Sequence, residues 1–98
     1  MHDDILSRLP GAIVGPWRSH WGNFQRALSF TCPETHGLRH CVLTVSASGG
    51  GYPAIIIAVD GRLVELVESV RDFPFTMASD LLIENLPDCC TGMNGELL

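Results

Sequence analysis

Lysine is missing from this sequence: all six basic residues are arginine. Schiff-base chemistry, a lysine general base and the lysine of a phosphate-binding P-loop are therefore excluded. SASGGGYP, the one glycine run, lacks the Gly-Lys-Ser/Thr of a P-loop. No strand-linked G-x-G-x-x-G and no G-x-S-x-G occurs, so nucleotide-binding and hydrolase signatures are absent as well. No run approaches the ~20 apolar residues that cross a bilayer. The start, MHDDILSRLPG, is acidic where a signal peptide is basic and then strongly apolar. These absences lead to the expectation of a soluble, cytoplasmic protein of a bacterium or an infected host cell, with no membrane contact. The four cysteines show no C-x-x-C spacing, and two of them are adjacent, Cys89-Cys90. In a non-secreted chain they are expected to be reduced thiols rather than a disulfide framework.

What is present suffices for one core. Ninety-eight residues, 46% of them apolar, match a single small domain. Charge is unevenly placed. Residues 1–50 carry Arg8, Arg18, Arg26 and Arg39 against Asp3, Asp4 and Glu34, a net of +1, and hold all four histidines. Residues 51–98 carry Arg62 and Arg71 against eight carboxylates, a net of −6. A nucleic-acid binder shows the reverse balance with a clustered basic face, so direct DNA or RNA binding is not expected.

Along the chain, DDILSRL reads as a short helix capped by Asp3 or Asp4 and stopped by Pro10-Gly11. AIVGPWRSHWG reads as an irregular first strand with a turn on each side. From Phe24 to Cys32 apolar residues alternate, with Arg26 the one residue on the wrong face; a second alternating strand runs from Leu38 to Ala47. AIIIAV, 54–59, ends in Asp60-Gly61, the pair a type I′ hairpin turn demands. Residues 62–67 are assigned to a strand, although Leu63, Leu66, Val67 and Val70 also fit helical spacing. TMASDLLIENL, 76–86, reads as a helix capped by Thr76, with Met77, Leu81 and Leu82 inward and Pro87 ending it. The expected architecture is α+β: a two-layer arrangement of a three- to five-stranded antiparallel sheet with a short N-terminal and a C-terminal helix. The domain is expected to span 1–86, and 87–98 to form a flexible tail.

CPETHGLRHC places Cys32, His36, His40 and Cys41 within ten residues. With His36-Gly37 as a two-residue turn, Cys32 faces Cys41, Phe30 faces Leu43 and Leu28 faces Val45, and the apolar faces coincide. That geometry points His40 away from both cysteines, so four tetrahedral ligands do not converge. The alternative is a helical turn at 36–40 that makes the four residues a metal site and the protein a small regulatory metal module; separately, Cys89-Cys90 could complete a zinc site with Cys32 or Cys41. A cysteine nucleophile is a third reading. No cofactor is expected under the hairpin reading.

Two features suit partner binding. WRSHWGNF groups Trp17, Arg18, Trp21 and Phe24, residue types that dominate interface hot spots but also fill small cores. Asp80 and Glu84 lie one helical turn apart, with Asp72 and Asp88 beyond the helix ends: either a solvated face or a ridge that docks on a basic groove. The reading that follows is a non-catalytic protein-binding domain whose partner is a larger protein with a basic surface, a nucleic-acid-binding machine being one such class. Small acidic α+β proteins of this size and charge are common among phage and mobile-element inhibitors, anti-CRISPR proteins among them. Oligomeric state is left open, a homodimer included.

Overall fold

A period of two in the apolar residues builds most of this molecule. The computed structural model describes residues 4–47 and 51–85. A 3-10 helix, Ile5–Arg8, precedes five strands: β1 (Ile13–His20), β2 (Asn23–Thr31), β3 (Leu38–Ser46), β4 (Ala54–Val59) and β5 (Arg62–Val67). One α-helix, α1 (Pro74–Glu84), follows. The strands pair antiparallel in chain order, so the open sheet is a simple meander. This is the α+β fold that the alternation predicts, at the upper end of the expected strand number.

Two of the hairpins turn in two residues. Trp21-Gly22 and Asp60-Gly61 have φ of 50° and 80°, and 51° and 79°. Both residues of each pair are left-handed, the type I′ pattern whose twist matches the flanking strands, and glycine tolerates the second position without a Cβ clash.

One face of the sheet makes the core. Leu28 and Phe30, then Cys41, Leu43 and Val45, then Ile55, Ile57 and Val59 are buried on it. Leu6 and Leu9 from the N-terminal segment and Ala78 and Leu82 from α1 join the same cluster, so both helical segments cover this face. Asp4 caps the 3-10 helix by accepting from the Leu6 N–H.

Arg26 explains its own exception to the alternation. It shares a face with the core residues, yet its Nε donates to the Gly15 carbonyl at 2.7 Å and its guanidinium pairs with Asp4. Gly15 lies where β1 is irregular, between Val14 paired with Leu28 and Trp17 paired with Arg26. The arginine thus ties the bulged edge strand to the N-terminal cap.

Three expectations are corrected. The β2–β3 hairpin is not a two-residue turn at His36-Gly37: Thr31 pairs with Leu38, Phe30 with Arg39 and Leu28 with Cys41. Each β2 residue meets a partner four positions earlier than expected, and residues 32–37 form a wider loop. It is closed by the Cys32 N–H to the Gly37 carbonyl and the His36 N–H to the Cys32 carbonyl, both 2.8 Å. An even shift keeps every inward residue inward, so alternation alone does not detect it. The second correction is the helix start, two residues before Thr76: Phe73 is the cap, Pro74 occupies the first turn, and no side chain caps it. Third, Cys32 is disulfide-bonded rather than a reduced thiol, while Cys41 is buried in the core. Disulfides are exceptional in a reducing cytoplasm, so the cysteines do not support that compartment. No helix among the described residues is long and apolar enough to cross a membrane. The expected tail, 87–98, lies outside the described residues.

Candidate partner-binding face

The frame of α1 follows from Pro74. With its fixed φ and no N–H to satisfy, proline suits the first helical turn, and from there the rotation of each side chain is set. Ala78, Ser79 and Leu82 turn to the sheet and are buried. The two small residues let the helix lie close to β3 and β4. Met77, expected inward, stands instead on the outer surface one turn after Phe73. Along that surface Phe73, Met77 and Leu81 recur every four residues, and beside them Asp72, Thr76, Asp80 and Glu84 do the same. These seven residues line one open groove.

The acids on this face are not neutralised. The helix has no basic residue in its last turn, and Asp72, Asp80 and Glu84 make no ion pair with any described residue. Arg71, just before them, lies over the Tyr52 ring at 5.0 Å from its centroid. Phe73 is 79% exposed at φ 51°, a left-handed conformation unusual for a bulky residue. An exposed aromatic held in a costly conformation neither fills the core nor relaxes the chain.

A second groove joins the first. Trp17, Arg26 and Asp4 line it with Phe75, Thr76 and Asp80, and the last two belong to both grooves. Phe75 receives Trp17 and Phe24 edge-on, with ring centroids 4.8 and 5.4 Å away. The aromatic segment and the acidic helix, separate in the sequence, therefore meet at the start of α1.

The structure divides the other candidates. Trp17 is half-buried against Phe75, Arg18 points to the opposite face of the sheet, and Trp21 stands at the tip of the β1–β2 turn, 89% exposed. Both tryptophans cannot be core residues. Asp88 lies outside the described residues. Phe73 and Met77 were not singled out by sequence reasoning; Pro74 as the first helical residue is the signal that turns both outward.

The Cys/His cluster is dispersed. Cys32 is in its disulfide, Cys41 is buried beneath the sheet, His36 is exposed in the loop at φ 61°, and His40 lies on the opposite face. Among the described residues no three His, Cys, Asp or Glu side chains are placed to share a metal ion. His40 instead anchors a turn: its N–H donates to Asp60 Oδ1 at 3.1 Å, and Arg39 pairs with Oδ2 at 2.8 Å. Burial pushes the Asp60 carboxyl up, but the His40 N–H, the Arg39 hydrogen bond and charge, and His40 outweigh it and hold the group below its ordinary value.

Comparison with protein-family models, curated proteins and solved structures finds no match.

Proposed function

We propose that this protein is a non-catalytic protein-binding domain that uses the outer face of α1 to hold a basic, partly apolar surface of a larger protein. One observation carries the reading: Phe73 and Met77 stand exposed in register with Asp72, Asp80 and Glu84, which form no ion pair with any described residue. Apolar anchors supply contact area, while unpaired carboxylates of one sign select a cationic partner and steer its approach. The groove holding Trp17 and Phe75 extends the surface with aromatic area. The likeness to phage and mobile-element inhibitors, anti-CRISPR proteins included, is one of size and charge; the proposal rests on α1.

The test is titration with a helical peptide carrying leucine and lysine at four-residue spacing, followed by tryptophan fluorescence and calorimetry, with a glutamate-for-lysine peptide as control. Saturable binding that weakens with salt is expected. Asp80→Arg with Glu84→Arg should weaken it at least tenfold, about 1.4 kcal/mol, whereas Glu34→Arg with Glu68→Arg should leave it within threefold. Equal loss from both pairs would reduce the effect to net charge and sink the proposal.

A further inference from the structure

The sheet has a second face, and no described element covers it. Its rows follow from the strand register. One row runs Ala27, Val42, Ala58, Leu63; the next runs Arg18, Gln25, Thr44, Ile56, Leu66. Val42, Leu63 and Leu66 are exposed there, the last two at 51% and 46%. Val42, Ile56, Leu63 and Leu66 gather on β3, β4 and β5, Ile13 stands exposed on the same face of β1, and Gln25 reaches Thr44 Oγ1 at 3.4 Å between them.

Charge on this face is one-sided. Its strand positions hold Arg18, His20 and His40 and no aspartate or glutamate, in a chain of net charge −5. It is the broad surface on which two copies can approach without bringing carboxylates together. The sheet edges offer no rival route. β1 is irregular at Gly15-Pro16, and β5 carries an extra residue where Ile57 pairs with Glu65 and Ala58 with Leu63. Bulges and proline blunt an edge against strand addition.

We infer that this protein forms a two-fold homodimer by packing these faces together, with Val42, Ile56, Leu63 and Leu66 of each copy at the centre. Five strands about 4.8 Å apart and about six residues long give a footprint of about 480 Å². Two such footprints bury roughly 1,000 Å², the low end for a specific interface and the range of weak, reversible contacts. Sheets packed this way lie ~10 Å apart with strands within about 30° of alignment. The inference does not rest on the reading of α1, which it leaves on the outside of each copy.

Sedimentation equilibrium and light scattering of the full chain test it. The expected result is a mass near twice 10.7 kDa at protein concentrations of about 100 μM, falling to one chain on dilution to about 1 μM. Salt should strengthen the dimer, because screening relieves repulsion between two acidic chains. Leu63→Arg and Leu66→Arg should each give a monomer at about 100 μM with unchanged circular dichroism, while Asp80→Arg with Glu84→Arg should remain dimeric. An independent reading on the unaltered protein is methyl NMR during dilution, in which Val42, Ile56, Leu63 and Leu66 should shift together and Met77 should not. A monomer at about 100 μM overturns the inference, and one whose face methyls are shielded assigns the face to the chain's own residues 86–98. A dimer that survives Leu63→Arg, loosens with salt, or moves the Met77 signal also overturns it and shifts self-association to α1.

Discussion

Along α1, Phe73 and Met77 stand beside Asp72, Asp80 and Glu84; across the sheet, Val42, Leu63 and Leu66 stand beside Arg18, His20 and His40. Both surfaces expose apolar side chains, and they differ in the sign of the charge next to them. That sign decides what each can meet, because apolar contact is nearly indiscriminate and charge at the rim selects the partner. It also sets opposite responses to salt. An acidic face loses attraction to a cationic partner as ions screen it, whereas two copies of an acidic chain lose repulsion. One measurement against ionic strength thus separates the two surfaces.

The largest effect should mark the boundary between the buried face and the open one. Phe30→Ala removes a fully buried ring from the covered face and should cost about 3–5 kcal/mol in denaturant unfolding. Val42→Ala, on the open face of the next strand, should cost less than about 1 kcal/mol in the monomer. Similar costs would mean that the open face is a second core.

Next in size is Arg26→Ala, which leaves Asp4 and the Gly15 carbonyl without their donor. A loss of about 1.5–3 kcal/mol is expected, with faster hydrogen exchange in β1 and the 3-10 helix and little change in β4 and β5. If β4 and β5 loosen equally, the arginine does not act through the β1 edge.

Smaller and of opposite sign is Trp21→Asn. It replaces an exposed tryptophan at φ 50° with the residue that a type I′ turn prefers before glycine. A gain of about 0.5–1 kcal/mol in stability is expected, with no effect on peptide binding at α1. Phe73→Gly should also be stability-neutral or better, yet weaken that binding, because the strained aromatic belongs to the groove. Loss of binding in the first variant and not the second would move the interface from α1 to the hairpin tip.

The smallest effect concerns pH. Asp60 has a folded value held below its ordinary 3.8, so its contribution to stability is present above that value and is lost as pH falls through the folded one. Thermal unfolding followed from pH 6 down to pH 2 should show part of the acid loss removed in Asp60→Asn. Identical slopes for the two proteins would show that the Arg39–Asp60 turn carries no linkage.

Local chemistry made much of the fold readable. The Asp60-Gly61 turn, β4 and β5, the inward residues of β2 and β3, and the 3-10 segment before Pro10-Gly11 follow from alternation and turn preferences over a few residues. The site was half readable: Asp72, Asp80 and Glu84 were visible as a charged spacing, but Phe73 and Met77 were not, because the choice of Thr76 as cap rotated the helix wrongly.

What the sequence by itself determined is which residues face which side, since a period of two is written into each strand regardless of its partner. Tertiary structure alone decided the β2–β3 pairing, because registers related by even steps bury the same residues and only the closure of the 32–37 loop distinguishes them. It also decided the purpose of Arg26, whose partners Asp4 and Gly15 come from elsewhere in the chain, and the disulfide of Cys32. The meeting of Trp17 with Phe75 and Asp80 belongs to the same class: two segments more than fifty residues apart share a surface only once the sheet has brought β1 under the start of α1.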